Sequence, residues 1–295
     1  ALRRLGFVEV VALCDAALEQ AQAKAQQLNI PHAYADVDAL LAHPGLQVVH
    51  NCTPNFLHAS VNRQILRAGK HVFSEKPLCI TSVEARELEQ MARDAGFVHG
   101  ESIVYRQVVE VMADLAIVWP TRKASLTARS SFSGPQDGAQ YRDVPVTTED
   151  AGSVLFRFDD GSKGCFSVSQ VSAGRKNRLH FDINASACSL AWDQETPQQL
   201  WIGHRNQPNQ LLSDDPGLLN RDVAGQAHFP GGHNEGWPDA FKNMMGNFYQ
   251  AVQSGEMPAA GERRFASFSD GANVMYIIDA IVKSHQQRRW VSVEQ

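Results

Sequence analysis

The stretch Lys70-His71-Val72-Phe73-Ser74-Glu75-Lys76-Pro77 decides the fold. Its apolar centre predicts a short buried strand that ends in a Glu-Lys-Pro turn. A parallel pattern lies upstream, where Val48-Val49-His50-Asn51-Cys52 runs into Thr53-Pro54-Asn55. Between them, about residues 57–68 predict a helix that Gly69 ends. Strand, helix and strand in this order form a right-handed βαβ unit, so both turns leave the carboxyl edge of one parallel sheet, where open α/β sheets bind ligands.

Two kinds of hydrophobic pattern divide the chain. The first hundred residues alternate strands and helices, which predicts a doubly wound parallel sheet. From Gln107 onward period-2 alternation dominates, and the hairpin turn at 159–162 indicates a largely antiparallel, open-faced sheet in an α+β domain. Residues 205–226, rich in Asn, Pro, Asp and Gly, predict a surface loop. We therefore predict an N-terminally incomplete dinucleotide-binding domain over residues 1–101 and a substrate or oligomerisation domain over residues 102–295.

A carboxylate near the start of the chain points to a nucleotide. A dinucleotide-binding sheet carries G-x-G-x-x-G after its first strand, about 20 residues before an acid that binds the ribose. Asp15 fits that acid, so the glycines are expected before residue 1. Asp15 also fits the N-cap of a helix from Ala16, but the context favours the ribose. No arginine follows Asp15 to hold a 2′-phosphate, which favours NAD over NADP.

The two turns also carry a family resemblance. The TPNxxH pattern at 53–58, followed by AGKHVFSEKP at 68–77, resembles the Gfo/Idh/MocA oxidoreductases, the family of glucose-fructose oxidoreductase and myo-inositol dehydrogenase. The GGHNEGW turn at 231–237 extends the resemblance over nearly the whole chain. The resemblance implies hydride transfer between NAD and a secondary hydroxyl of a sugar, cyclitol or related polyol. It also implies a homodimer or homotetramer that associates through the open sheet face.

The resemblance assigns roles to the residues of the two turns. Lys76 is the predicted catalytic residue, because the lysine of this tripeptide takes part in proton transfer in the family. A lysine accepts the hydroxyl proton when its amine is uncharged, which burial and a neighbouring positive ring favour. Glu75 is expected to orient Lys76 or bind the cofactor, the other interpretation being a surface ion pair between them. Thr53, Pro54 and Asn55 are expected to pack against the cofactor, and the bond before Pro77 is expected to be cis.

Two histidines each have two interpretations. His58, which begins the helix after the first turn, either contacts the cofactor or packs against neighbouring backbone. His233 either contacts substrate hydroxyls near the cleft or bonds a loop carbonyl, and we favour the carbonyl slightly. The family's Asp-x-x-x-His signature is not found, and we hypothesise that a segment is missing from the numbering near residues 100–105.

Composition limits the remaining classes. The chain has 295 residues, 43% of them hydrophobic and 20% charged, as in a soluble globular protein with room for two domains. Its formal net charge of -5 gives no reason to expect a nucleic acid or an anionic membrane as partner. The five cysteines form no Cys-x-x-Cys pair and no HExxH is present, so we expect a cytoplasmic protein without a metal.

One alternative of another class stays open at this point. Function depends on the site and not on the fold, so the same fold could serve a non-catalytic, nucleotide-sensing regulatory or binding protein. The presence of Lys76 favours an enzyme, whereas the missing Asp and His favour the alternative.

Overall fold

The computed structural model describes residues 1–100, 107–126 and 140–294. The chain divides into two compact units, Ala1–Ile103 with Arg175–Ala272, and Val104–Gly174 with Asn273–Gln295. The first break falls next to the boundary predicted at 101/102. The break at 174/175, however, divides the segment that was predicted as one domain, and the domain assignment itself stays a prediction.

The described helices and strands follow in chain order. The helices are α1 Leu18–Leu28, α2 Val37–Leu41, α3 His58–Arg67, α4 Ser82–Ala95, α5 Arg221–Ala224, α6 Trp237–Ser254 and α7 Phe268–Gln287. The strands are β1 Ala12–Cys14, β2 His32–Tyr34, β3 Val48–Asn51, β4 His71–Ser74, β5 His99–Gly100, β6 Val108–Ala116, β7 Thr121–Ser125, β8 Tyr141–Pro145, β9 Ala151–Phe158, β10 Lys163–Ser169, β11 His180–Asn184, β12 Cys188–Asp193, β13 Gln199–His204, β14 Gln210–Ser213 and β15 Val291–Ser292.

The first unit contains the predicted parallel strands. β1 pairs with β2, and β3, β4 and β5 form a parallel sheet in that order. Helices begin and end where the sequence has caps: Asp36 accepts from the Ala39 N–H at 2.7 Å, and Thr81 accepts from the Glu84 N–H at 3.2 Å. Gly69, with φ of 69°, follows α3 in the left-handed region. The doubly wound architecture predicted from the alternating pattern is confirmed.

The amino-terminal end of this unit differs from the prediction. α1 begins at Leu18 and not at Ala16, and its N-cap Ala17 has no side chain that could cap. The Asp15 carboxylate instead accepts a hydrogen bond from the Ala17 N–H at 3.0 Å. This bond turns the chain between β1 and α1, which is why the helix starts later than the sequence indicates.

The predicted loop at 205–226 is wrong in part, because it contains β14 and α5. β14 is the edge strand of an antiparallel sheet in the order β11-β12-β13-β14. Its Leu211 and Leu212 lie opposite Trp201 and Leu200 of β13. Two adjacent leucines among Asn and Pro residues are a weak sequence signal, whereas the ladder to a neighbouring strand is available only in the fold.

The hydrophobic core of the first unit lies against one face of the parallel sheet. Phe73 of β4 and Val98 pack with Met245 and Phe248 of α6. The Phe73 and Phe248 rings meet edge to face, with centroids 5.2 Å apart. α6 is therefore held by the strand whose carboxyl end carries Glu75, Lys76 and Pro77.

The second unit is built around a four-stranded antiparallel sheet in the order β10-β9-β6-β15. β9 and β10 form the predicted hairpin, with Gly161 at φ of 81° in its turn. Val111 and Val154 pack against Ala280 of α7, which covers one face. Met112 and Leu155 point to the other face and are exposed. The predicted sheet with one covered face and one open face is confirmed.

Among residues 1–100, 107–126 and 140–294, the longest and most apolar helices still fall short of what a bilayer crossing requires.

Candidate active site

The turns after β3 and β4 lie side by side. The last residues of the two strands, Asn51 and Ser74, are register partners in the parallel ladder. The Glu75 N–H then donates to the Asn51 carbonyl at 2.9 Å. The Thr53-Pro54-Asn55 turn and the Glu75-Lys76-Pro77 turn therefore leave the same carboxyl edge, as a βαβ unit requires.

A buried hydrogen-bond network holds the ends of these strands. The Asn51 side chain donates to the Asn62 Oδ1 at 2.7 Å and accepts from the Thr53 hydroxyl at 2.7 Å. Asn62 in turn donates to the Ser74 hydroxyl at 3.0 Å. These bonds satisfy polar groups that water does not reach, so the network costs little stability as long as it is complete.

Sequence reasoning missed Asn51, Asn62 and Ser74. Two signals were present: Asn51 and Ser74 are polar ends of apolar strands, and Asn62 lies one helical turn after His58 on the same face of α3. Neither signal says that the side chains meet, because those contacts join residues 11 and 12 positions apart in sequence.

His58 is 1% exposed and lies between the two turns. Its Nε2 is 2.7 Å from the Thr53 carbonyl oxygen, and its Nδ1 is 2.6 Å from the Pro77 carbonyl oxygen. Both ring nitrogens therefore contact backbone of this chain. His58 was expected either to contact the cofactor or to pack against neighbouring backbone. The contacts in the structure fit packing against backbone, and they leave neither ring nitrogen free for a cofactor.

Lys76 lies in the second turn and is exposed. The burial that was expected to favour its uncharged amine is therefore not supplied by the described residues, because the turn extends beyond the packed end of β4. Within residues 1–100, 107–126 and 140–294, Lys76 has no hydrogen-bond or ion-pair partner, and the surface ion pair with Glu75 is not formed. The bond between Lys76 and Pro77 is cis, as predicted.

The pKa of Cys52, in the first turn, is affected by the charge of the second turn. Burial of its thiol raises the pKa of Cys52, and the charge of the Glu75 carboxylate raises it further. The Glu75 carboxylate therefore lies close enough to Cys52, directly after β3, for its charge to act there. This carboxylate accepts no hydrogen bond from the described residues around it and stays available to a hydroxyl group.

The other predicted site residues lie apart from this pair of turns. Asp15 follows β1, exposed, with its carboxylate on the Ala17 N–H. His233 is exposed, and its Nδ1 donates to the Pro230 carbonyl at 3.1 Å, which is the loop-carbonyl interpretation. No contact among the described residues joins Asp15 or His233 to Lys76. A missing segment was hypothesised near residues 100–105, and residues 101–105 of that range lie outside the described part of the chain.

The donors and acceptors at this edge fit the nicotinamide riboside end of a dinucleotide. A carboxylate such as Glu75 accepts hydrogen bonds from ribose hydroxyls, and the exposed Pro54 and Asn55 offer an apolar ring and an amide to a planar group. No group of three or more His, Cys, Asp and Glu side chains suited to a metal ion occurs in the part of the chain that the structure describes. The expectation that the protein needs no metal stays a prediction.

Comparison with known proteins decides the family. A model of the oxidoreductase family with an NAD-binding Rossmann fold matches residues 1–101. D-xylose 1-dehydrogenase (NADP(+)) 2 of Haloferax volcanii is 33% identical over 308 residues, which cover 94% of this chain and 89% of that protein. The chain belongs to the Gfo/Idh/MocA family of oxidoreductases.

Other relatives extend the match over this Gfo/Idh/MocA chain. Levoglucosan dehydrogenase of Pseudarthrobacter phenanthrenivorans is 22% identical over 362 residues, covering 96% of this chain and 89% of the relative. A crystal structure of an inositol dehydrogenase homolog from Azotobacter vinelandii, in complex with NADH and myo-inositol, superposes with a TM-score of 0.78 at 20% identity, covering 97% of this chain and 90% of that one. The structural match establishes a Rossmann domain followed by antiparallel sheets.

This Gfo/Idh/MocA protein is an NAD(P)-dependent dehydrogenase that acts on CH–OH groups. That conclusion decides against the non-catalytic alternative. The choice between NAD and NADP is not decided by the relatives, because the family model is named for NAD and the Haloferax enzyme for NADP.

Proposed function

We propose that this dehydrogenase oxidises a secondary hydroxyl of a sugar, cyclitol or related polyol with NAD, and that Lys76 accepts the hydroxyl proton. The observation that carries the proposal is the place of Lys76. Its amine, which has no partner in the part of the chain that the structure describes, lies in the turn after β4. This turn is beside the Thr53-Pro54-Asn55 turn at the ligand-binding edge of the parallel sheet.

The chemistry assigns a role to each part of this edge. Bound NAD supplies the acceptor for the hydride that leaves the alcohol carbon. As the carbon becomes a carbonyl, the hydroxyl proton must leave, and the Lys76 amine takes it as general base. Glu75 orients Lys76 or accepts from a ribose hydroxyl, while Thr53, Pro54 and Asn55 hold the cofactor in place. Because Lys76 is exposed in the free protein, the bound reactants must exclude water from its amine.

The relatives' names support the proposed class of substrate. D-xylose, levoglucosan and myo-inositol each carry secondary hydroxyls on a ring, and they appear in the names of proteins that match over more than nine-tenths of this chain. His233 is proposed as an additional contact to a substrate hydroxyl, since its Nε2 has no described partner within the loop. Activity measurements with a panel of sugars and cyclitols test which of them is the substrate.

The preference for NAD is proposed from Asp15. Its exposed carboxylate accepts from the ribose diol but repels a 2′-phosphate, and no arginine follows it. In Asp15→Ala, kcat/KM with NAD is expected to fall about tenfold relative to kcat/KM with NADP, which corresponds to loss of ~1.4 kcal/mol of discrimination. An unchanged ratio of the two values would remove Asp15 from cofactor selection.

The central experiment compares two lysines at opposite ends of β4. Lys70 precedes the strand at its amino end and Lys76 follows it at the carboxyl end, so Lys70→Ala is the matched control. Reduction of NAD by a panel of sugars and cyclitols is followed spectroscopically. Lys76→Ala is expected to lower kcat by ~10²–10⁴-fold, the range typical of a general base, with the Kd for NADH nearly unchanged. Lys70→Ala is expected to turn over at the rate of the unmodified protein.

Two results would count against the proposal. Equal activity of Lys76→Ala and Lys70→Ala would exclude Lys76 as the base. A Kd for NADH that rises by the same factor as kcat falls would make Lys76 a cofactor-binding residue without a part in proton transfer.

A homo-oligomer through the open face of the sheet β10-β9-β6-β15 is also proposed. Support comes from Met112 and Leu155, exposed apolar neighbours near the middle of that face. Leu155→Arg is expected to shift the protein to monomer in light-scattering measurements. Val83→Arg, at a position 78% exposed on α4 of the other unit, is the control that should leave the mass unchanged.

We also propose that the protein is located in the cytoplasm. None of the five cysteines at positions 14, 52, 79, 165 and 188 forms a disulfide, which supports a reducing compartment.

A further inference from the structure

His58 makes two short contacts of one kind. Its Nε2 lies 2.7 Å from the Thr53 carbonyl oxygen and its Nδ1 lies 2.6 Å from the Pro77 carbonyl oxygen. The ring is 1% exposed, so water does not replace either partner. The two carbonyls belong to the two turns of the proposed active site, one on each side of the ring.

Both partners can only accept hydrogen bonds. A neutral imidazole carries one N–H and one lone pair, so it can donate to one of the carbonyls but not to both. In the neutral form, the remaining ring nitrogen would direct its lone pair at a carbonyl oxygen less than 2.8 Å away, which is repulsive. Two favourable bonds require hydrogen on both nitrogens, and these charge-assisted bonds are then the stronger kind.

The surrounding network does not replace this link. The chain of bonds from Thr53 through Asn51 and Asn62 reaches Ser74, at the end of β4. Beyond Ser74, the Glu75 N–H reaches the Asn51 carbonyl at the end of β3. The Pro77 carbonyl, on the other side of Lys76, is joined to the Thr53 carbonyl of the first turn through the His58 ring. The titratable side chains on the segments around the ring are Cys52, Glu75, Lys76 and Cys79.

We propose that His58 is a positioning residue of this dehydrogenase: donating from both ring nitrogens, it fixes the turn of Lys76 at a set distance from the turn of Thr53. The inference rests on the proposed role of Lys76. With both ring nitrogens on backbone carbonyls, His58 has no nitrogen left for a substrate or a cofactor. A displacement of ~1 Å at a reacting group can cost ~10²-fold in rate, so the link between the turns matters for turnover.

The first test uses His58→Gln, which retains one donor nitrogen and has an accepting oxygen in place of the second. Its kcat is expected to fall at least tenfold while the Kd for NADH changes less than threefold. His71→Gln is the matched control, since His71 is a half-buried histidine at the amino end of β4, where its Nδ1 accepts from the Val98 N–H at 2.9 Å. This control should lower the thermal midpoint without lowering turnover per folded molecule. Equal kcat in the two variants would overturn the positioning role.

A double variant separates this inference from the proposal for Lys76. If His58 acts through Lys76, then His58→Gln combined with Lys76→Ala should be no slower than Lys76→Ala alone. A further tenfold loss in the double variant would show that His58 acts independently of Lys76. If Lys76→Ala itself turns over normally, the proposed function fails, whatever His58 does.

The protonation of the ring is tested without any turnover. In protein labelled with ¹⁵N-histidine, both ring nitrogens of His58 are expected to show the chemical shifts of N–H nitrogens. A lone-pair shift at either nitrogen would refute the double donation. Assignment uses the loss of this signal in His58→Gln.

Discussion

Around the carboxyl ends of β3 and β4, the side chains of Asn51, His58, Asn62 and Ser74 are at most 1% exposed, and all of them are polar. The antiparallel sheet of the second unit instead packs α7 through Val111, Val154 and Ala280. Burying a polar group costs free energy unless each donor and acceptor is paired, whereas burying a methyl group is favourable by itself. Buried polar groups are therefore concentrated where the geometry of two turns has to be held.

Polar groups in the antiparallel unit have another task. Asp150 accepts from the Val118 and Trp119 N–H groups at 2.7 and 3.1 Å. The Ser284 hydroxyl accepts from the Ala113 N–H at 3.0 Å, beyond the short strand β15. These side chains satisfy backbone that no neighbouring strand reaches, and we expect them to affect stability without affecting turnover.

The largest expected effect breaks the network of the parallel unit. Asn51→Leu leaves the Thr53 hydroxyl and the Asn62 amide without their partner in a buried place, which costs ~3 kcal/mol or more of unfolding free energy. Turnover per folded molecule should also fall, since the first turn loses its anchor. Urea unfolding and kcat are measured on the same preparations.

Val154→Ala is the matched change in the antiparallel core. Val154 is 2% exposed, and its truncation is expected to cost ~2 kcal/mol of unfolding free energy with kcat unchanged. If both variants lowered kcat in proportion to stability, the contrast between the two regions would be wrong.

The next largest effect is expected from acid, which should destabilise the parallel unit more than the antiparallel unit. Burial, followed by the charge of Arg263, lowers the pKa of His99 to about 4, and its Nδ1 accepts from the Phe268 N–H at 3.0 Å. Below the ordinary value near 6.5 the unfolded chain binds a proton that the folded chain refuses, so stability falls as pH drops from 6.5 to 4, by at most about 3 kcal/mol. Urea unfolding at pH 7.5 and pH 4.5 measures this loss, and His99→Gln should reduce it.

The antiparallel unit should resist this range of pH. Backbone hydrogen bonds from Val118 and Trp119 hold the pKa of Asp150 below its ordinary value of 3.8. Its carboxylate therefore stabilises the fold at all pH values above 3.8, and that contribution is lost only as pH falls further. At pH 5, the protection from hydrogen exchange should fall in β4 and β5 before it falls in β9. The reverse order would contradict the prediction that acid destabilises the parallel unit first.

The smallest effect concerns exposed ion pairs, which should not differ between the regions. Arg157 bonds Glu110 at 2.6 Å in the antiparallel sheet, and Arg63 bonds Glu87 at 2.6 Å between α3 and α4. Arg157→Ala and Arg63→Ala should each cost at most ~1 kcal/mol, because solvent screens both pairs. A loss of several kcal/mol of unfolding free energy in either variant would show that solvent does not screen that ion pair.

The sequence pattern predicted the elements that follow strong local rules. Gly69 as the end of α3, the Thr81 cap of α4 and the hairpin at Gly161 are read from single residues with special backbone or capping chemistry. β14 and the start of α1 were missed, since an edge strand depends on its partner and Asp15 satisfied an N–H outside the helix. His58 shows the same limit: its type was noticed, but its two partners lie 5 and 19 residues away.

The amino-acid sequence by itself determined the βαβ order, and therefore that the turns carrying Thr53 and Lys76 share one edge of a sheet. It did so because strand and helix periodicity and the handedness of the crossover are local properties of the chain. Only the tertiary structure decided that Asn51, Asn62 and Ser74 join beneath those turns and that His58 bridges them. Those contacts join residues far apart in sequence through bonds whose existence depends on packing, which no local pattern records.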